Sequence, residues 1–395
     1  MSKNIPLVES GEPDDISPGY LGPTPPIGPI PQRGERLWVD RPEQLLQAVK
    51  LLTTSSVVAI DAEFTQPRSS RHGGSSVPRL SLLQLAIQKH CFVVDTLRLG
   101  DLSPLEAVVA NPNIMVLLHG AGADIRVMAE RGLHVSQFYD LEATSRSIFG
   151  QRESSLASML QRAFNYRLDK SLQRTDWTRR PLPSAMIAYA ARDAEVTLAL
   201  YYWLDQHYHD ILQLHKNNGQ RPLAASWIEP FLRGSSPLAP EMAVEEALAE
   251  GILSSKTQIE TDCRAALQTL THPMLRSRLL RLIADLSLAP LVPDLLLLLH
   301  ASTSDERAGS IRALGRLGVK SAHEALQSLL QDPVYDVRKA ASIALRNLAQ
   351  APRQHRAPSA IAPDGSRSWS TEPSEQDDNN NTGGWKSRLR SLMDA

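Results

Sequence analysis

Asp61 and Glu63 stand one residue apart at the end of SSVVAIDAEF, where an apolar run from Val57 to Ile60 gives way to two carboxylates. In an extended strand, residues i and i+2 share a face, so both acids project together from the strand's C-terminal tip. Like charges held side by side repel unless a proton or a cation relieves them. Oxygen ligands with no Cys or His pair nearby suit a hard cation, Mg²⁺ or Mn²⁺. A lone D-x-E is more often a solvated strand end, so the chemistry depends on what else converges on it.

Two further segments bring acids to similar settings. The apolar run NIMVLLHG ends at His119 and Gly120, and AGAD then turns the chain into a helix that opens with Asp124. Taken alone, Asp124 is also a good N-terminal helix residue. In MIAYAARDAEVTLAL, Tyr189 and Asp193 lie at i and i+4, which puts a phenol and a carboxylate on one helical face. Between them runs LDKSLQRTDWTRRPL, Leu168 to Leu182. Here Arg162, Arg167, Lys170, Arg174, Arg179 and Arg180 form a basic cluster around Trp177. Cations and an indole together suit phosphate neutralisation and base stacking.

In this order, D-x-E after a first strand, an acid after an H-G turn and Y-x-x-x-D on a late helix resemble the Tyr-containing ribonuclease D branch of the DEDD 3′-5′ exonucleases. The Lys-Ser, Asp-Trp and Arg-Pro-Leu elements of Leu168 to Leu182 look like the ribonuclease D stretch leading into that last helix. The resemblance covers residues 37–215 and implies an α/β ribonuclease-H-like exonuclease domain with a mixed central sheet.

It also implies two divalent cations ~3.5–4 Å apart, serving in-line hydrolysis of a terminal phosphodiester. Their ligands would be Asp61, Glu63, Asp124 and Asp193. Asp61 would bridge both ions, Glu63 and Asp193 would complete the site of the attacking water, and Asp124 would hold the second ion through water. Tyr189 would orient the attacking water, since a phenol of pKa ~10 is a poor base at neutral pH. Phe64 and the backbone of Glu63 are the expected contacts to the last nucleotide. Gln84, Leu85, His119, Trp177 and Arg180 are further candidates for holding substrate.

The elements around these residues divide the 395-residue chain. Residues 1–36 hold eight prolines and read as a Pro-rich disordered tail. From Leu37, the β-rich runs VVAIDAEF, RLSLLQLAI, HCFVVD and IMVLLHG predict strands, the first three joined by short connections that permit antiparallel pairing. TQPRSSRHGGSSVP, longer than the family's usual turn there, reads as an exposed loop at the tip of the first hairpin. Residues 216–240 read as a linker.

Residues 241–350 contain no strand pattern but an internal repeat. Arg276, Arg307 and Arg338 recur at a spacing of 31, as do Leu286, Leu317 and Leu348. Two helices per unit that cannot bury their apolar faces alone must stack, so this is an all-α HEAT-like repeat domain. It occupies the place of the helical nucleic-acid-binding domains typical of ribonuclease D. Residues 351–395 read as a disordered tail ending in WKSRLRSLMDA, where Trp385, Leu389 and Leu392 or Met393 share one helical face and suggest a docking peptide.

Composition limits the partners. Lys plus Arg (42) and Asp plus Glu (43) nearly cancel, so charge-driven binding must come from local clusters. Two distant cysteines in apolar surroundings, Cys91 and Cys263, support neither a disulfide nor a thiolate metal site and fit a reducing interior. No apolar run is long enough to span a bilayer, so a soluble cytoplasmic protein with no membrane partner is expected. The leading expectation is a metal-dependent exoribonuclease acting on RNA, with the repeats or the C-terminal peptide engaging a protein. The alternatives are the same chemistry on DNA, because none of these acids senses a 2′-OH, and a non-enzymatic repeat scaffold.

Overall fold

The structure is a computed structural model that describes residues 25–65, 78–173, 175–217, 224–236 and 238–349. The first 24 residues, most of the TQPRSSRHGGSSVP loop, Arg174, the C-terminal tail and its docking peptide lie outside the described residues.

The first part of the chain runs β1 (Glu35–Val39), α1 (Pro42–Leu52), β2 (Val57–Phe64), β3 (Leu80–Ala86), β4 (His90–Asp95), α2 (Glu106–Val109), β5 (Met115–Leu118), α3 (Gly122–Ala129), β6 (Phe138–Asp140), α4 (Leu141–Phe149), α5 (Leu156–Phe164), α6 (Ser184–Leu214, kinked at Tyr208) and β7 (Lys216–Asn217). The strands form one mixed sheet in the order β1-β4-β3-β2-β5-β6-β7. β2 pairs antiparallel with β3 and parallel with β5, so the acid-bearing strand is central. The three short-connected strands pair antiparallel as their loops allow, and the α2 crossover makes β5 parallel.

The period-2 alternation of β2 assigns its faces. Val58, Ile60 and Ala62 bury into one core with Leu83 and Leu85, under α1 and α3. Ala59 buries into the other, beneath α6, with Leu82 and Ala86. Asp61 and Glu63 share the parity of Ala59 and therefore face α6. Where α6 crosses the sheet it presents Ala190, Ala191 and Ala194, all fully buried. Small side chains let the helix lie close to the strands, and the larger Leu200, Trp203 and Leu204 anchor its later turns, each such side chain contributing about 1.5–3 kcal/mol by burial.

The domain begins before the expected boundary at residue 37. β1 starts at Glu35, the Gly28 amide donates to the Ala163 carbonyl (2.8 Å), and Arg192 donates to the Pro31 carbonyl (3.0 Å). The end of the Pro-rich segment is thus part of the fold, which composition alone does not reveal because proline lacks the hydrophobic period of a packed element.

The second part is helical: α7 (Glu229–Arg233), α8 (Pro240–Ala249), α9 (Lys256–Thr269), α10 (Pro273–Asp285), α11 (Val292–Leu297), α12 (Ser304–Arg316), α13 (His323–Ser328) and α14 (Tyr335–Ala349). The segment expected as a linker contributes Trp227, Ile228 and Leu232 to this core, so it is structural. The 31-residue register has a common cause. Arg276, Arg307 and Arg338 each donate to the carbonyl six residues earlier, at Leu270 (2.8 Å), Ala301 (2.8 Å) and Asp332 (2.6 Å). Each arginine closes the loop before its own helix. Arg307 is 1% exposed and also grips Asp332 at both carboxylate oxygens (2.8 and 3.2 Å), so it is no ligand surface.

Candidate metal centre

β2 and α6 bring the acids together. Asp61, Glu63 and Asp193 can each present a carboxylate oxygen such that all three lie within 4.8 Å of one another. Asp124, on the first turn of α3, is 8% exposed and stands outside that cluster, yet close enough for its charge to act on Glu63. Burial raises every one of these acids, and repulsion from neighbouring carboxylates adds to it for Glu63, Asp124 and Asp193. Asp61 is pushed up to about 6 by burial. Glu63 reaches about 9, through burial and then the charges of Asp61, Asp193 and Asp124. Asp124 and Asp193 each reach about 8, by burial and the Asp61 charge.

Such a cluster fits a divalent cation. Asp193 Oδ1 is buried with no hydrogen-bond partner, an arrangement that costs free energy unless something positive meets it. The donors are all hard oxygens.

The neighbouring side chains orient this set. Gln84 lies directly across from Asp61 in the β2-β3 pair. With its amide nitrogen toward Asp61, it donates to the Asp61 carbonyl (2.6 Å) and to Oδ2 (3.2 Å). The Tyr189 hydroxyl faces Asp193, and burial together with the Asp193 charge pushes the phenol above its ordinary range. The Trp177 ring lies 6.0 Å from that of Tyr189. α6 itself is held in rotation by Glu195, whose two oxygens each accept from Arg36 of β1 at 2.8 Å.

Several expected substrate contacts take other roles. Trp177 is 4% exposed, so it backs Tyr189 and has no face free for a base. Arg180 forms a two-point ion pair with the fully buried Asp95 (2.7 Å at both oxygens) and donates to the carbonyls of Trp177 (2.9 Å) and Ser81 (3.1 Å), which commits it to holding the loop. Leu85 is 0% exposed in the core on the far face of the sheet. Gln84 is fully buried beside Asp61 and acts on the acid. His119 bonds through Nε2 to the Ser154 carbonyl (3.0 Å). Phe64 is half-buried, its ring against the far-face core, just past an irregularity between Glu63 and Phe64.

The basic cluster divides in the same way. Arg162 pairs with Glu153 and covers the Phe149 ring (4.4 Å). Arg167 and Lys170 are exposed and line a cavity of about 600 Å³ with Gln161. The Lys170 charge acts on Asp193 and lowers its pKa, opposing the effect of burial.

Sequence reading missed Asp140. Its carboxylate caps α4 at the Glu142 (3.0 Å) and Ala143 (3.3 Å) amides, and also accepts from the amides of Gly120 (3.0 Å) and Ala121 (3.2 Å). The capping half is legible in Asp-Leu-Glu-Ala. The grip on the turn that leads to Asp124 is not, because it closes across the sheet.

Residues 37–208 match the family DNA_pol_A_exo1, described as a 3′-5′ exonuclease, and residues 261–346 and 292–361 match HEAT repeats. The chain is 31% identical over 163 residues to ribonuclease D of Haemophilus influenzae, covering 41% of this chain and 39% of that protein. It is 32% identical over 185 residues to the exosome complex exonuclease RRP6 of Saccharomyces cerevisiae, covering 46% of this chain and 24% of that protein. The chain thus spans about two fifths of the first relative's length and about a quarter of the second's. Among solved structures, Escherichia coli RNase D is similar at 21% identity and a TM-score of 0.42, over 80% of this chain and 76% of that one.

Proposed function

We propose that this chain, in which a 3′-5′ exonuclease domain of the ribonuclease D type is followed by HEAT repeats, is a divalent-metal-dependent exoribonuclease that shortens RNA from its 3′ end. The observation that carries this reading is the meeting of Asp61, Glu63 and Asp193 on one sheet face, with Asp124 beside them. Asp61 would be shared between two Mg²⁺ or Mn²⁺ ions, Glu63 and Asp193 would hold one, and Asp124 would face the other. Bound there, such ions stabilise charge on the attacking and leaving oxygens of a phosphodiester.

The chain's own groups do the positioning. Gln84 fixes the Asp61 carboxylate from the neighbouring strand. Tyr189 stays protonated at neutral pH and donates, so it orients and does not accept a proton. Trp177 and the Arg180-Asp95 pair hold Tyr189 and the loop in place. Arg167 and Lys170, exposed along their cavity, suit the phosphates of the approaching strand. The backbone at Glu63 is the proposed contact to the terminal nucleotide, since the Phe64 ring packs against the far-face core. RNA is favoured over DNA because the matched relatives are named ribonuclease D and exosome exonuclease.

The test is a time course on 3′-labelled and 5′-labelled single-stranded RNA and DNA with Mg²⁺, Mn²⁺ or EDTA. Metal-dependent loss of the 3′ label ahead of the 5′ label on RNA supports the reading. No metal-dependent shortening of either polymer overturns it.

A protein partner is proposed for the repeats. α10, α12 and α14 line a groove of about 480 Å³ in which Arg281, Arg312 and Arg316 stand beside Ile343, itself 44% exposed. Arg281 and Arg316 ion-pair with Asp285, while Arg312 beside the apolar patch suits an acidic amphipathic peptide better than bare phosphates. Two free, buried thiols at Cys91 and Cys263 suit the reducing cytoplasm, and no helix among the described residues is long and apolar enough to cross a membrane.

A further inference from the structure

α4 is gripped at both ends. At its start, Asp140 holds the amides of Gly120 and Ala121, the turn that carries the chain from β5 into α3 and Asp124. At its end, the repeats take hold. Ser304, at the start of α12, donates to the Arg146 carbonyl (3.0 Å), and Ser147 donates to Asp305. Gly150 has a φ of +86°, and a Cβ there would lie 2.7 Å from Val334 Cγ1 and 2.8 Å from Asp336 Oδ2. Glycine is needed both for the backbone conformation and for this close approach.

A second connection runs beside the first. Asp336, on the first turn of α14, accepts from the Gln151 amide (2.6 Å). The Gln151 carbonyl accepts from Ser154 Oγ (3.2 Å), and the Ser154 carbonyl bonds to His119 Nε2 (3.0 Å). His119 is the residue before Gly120. Both routes therefore start on the repeats and finish on the turn before Asp124.

From this geometry we propose that the repeats hold the Asp124 turn in register with the other acids, which makes Asp336 a positioning residue for the metal centre. The proposal rests on the exonuclease reading above. Displacement of a reacting group by about 1 Å costs on the order of a hundredfold in rate, so a small slackening of this turn is enough to register in turnover. The interface also contains a contact off both routes. The Arg152 guanidinium lies 3.5 Å over the Tyr335 ring, and removing that ring weakens the interface without cutting the relay.

The test compares Asp336→Ala, Asp336→Asn and Tyr335→Ala in the full chain. Four quantities are read: kcat and KM on single-stranded RNA, Mn²⁺ affinity by electron paramagnetic resonance, amide exchange at Gly120 and Ala121, and thermal midpoint. Asp336→Ala is expected to lower kcat about ten- to hundredfold with little change in KM, to weaken Mn²⁺ binding and to speed exchange at Gly120 and Ala121. Asp336→Asn keeps an acceptor for the Gln151 amide and is expected to restore all three. Tyr335→Ala is expected to keep kcat within about threefold while lowering the thermal midpoint.

The proposal is overturned if Asp336→Ala speeds exchange at Gln151 but leaves Gly120, Ala121 and Mn²⁺ affinity unchanged. It is equally overturned if Tyr335→Ala lowers kcat as far as Asp336→Ala does. Should the wild-type chain degrade no RNA, the exonuclease reading fails while exchange and Mn²⁺ binding still decide the coupling.

Discussion

Gln84 sits directly across the β2-β3 pair from Asp61 and donates to both its carbonyl and its carboxylate. A buried amide so placed has one function, to keep the central acid in a single orientation. Gln84→Leu, close in volume, is expected to weaken Mn²⁺ binding by roughly ten- to hundredfold, since a hydrogen bond to a charged group is worth about 1.5–3 kcal/mol. Calorimetric titration of the variant checks this, and unchanged affinity would show that Asp61 needs no support.

The acids and Tyr189 should separate on mutation. Asp61→Ala and Asp193→Ala are each expected to abolish hydrolysis, because each removes a carboxylate from the cluster proposed to hold the ions. Tyr189→Phe removes only the hydroxyl that orients Asp193 and is expected to leave measurable activity. Single-turnover assays on labelled RNA, with circular dichroism to confirm folding, would show the division. Equal and total loss in all three would contradict it.

Proton release should accompany metal binding. Glu63, raised to about 9, and Asp124 and Asp193, raised to about 8, hold protons at pH 7, whereas ligation needs carboxylates. Mn²⁺ affinity is therefore expected to rise from pH 6 to pH 9 and to level off above. Titration in two buffers of different ionisation enthalpy counts the protons, and a pH-independent affinity would contradict the crowding described here.

His215 should make the folded chain acid-sensitive. Its ring is buried at the junction of the two parts, with Nε2 2.9 Å from Ser147 Oγ and the His272 ring 5.4 Å away. Burial, then His272 and Arg146, depress it from 6.5 to about 3. Its folded pKa lies below its unfolded one, so the unfolded chain binds more protons between about 3 and 6.5. Stability is full above that window and falls as pH drops through it, by at most about 1.4 kcal/mol per pH unit for one group. His272, also depressed by burial, adds in the same direction, while Asp305 and Asp140 oppose it there. His215→Gln should flatten the slope of thermal midpoint against pH, and an unchanged slope would assign the acid sensitivity elsewhere.

The groove of the repeats can be tested by charge reversal. Arg312→Glu is expected to reduce binding of a fluorescein-labelled Glu/Leu helical peptide about tenfold or more and to leave the salt dependence of RNA binding unchanged. A shallower salt slope for RNA would instead give the groove to phosphates.

How legible all this was in the chain differs from residue to residue. β2 announced itself because apolar residues run up to the two acids, and period-2 geometry places those acids on one face whatever the fold. The same rule separates Gln84 from Leu85: adjacent in a strand, they cannot both face the site. Trp177 and Arg180 are illegible in the chain for a different reason. A basic loop with an indole looks alike whether its side chains reach outward or fold inward, and it is the buried Asp95, 85 positions earlier, that draws Arg180 in.

The sequence by itself determined the acid set, the strand and helix that carry it, and the repeat with its arginine register, because these depend on local periodicity and on residue type. Only the tertiary structure decided that Asp193 reaches Asp61 and Glu63, that Asp140 holds the turn before Asp124, and that Asp336 reaches Gln151 from 185 residues away. Those contacts close loops of many residues, and their partners are chosen by the packing of whole elements, which no short window of sequence contains.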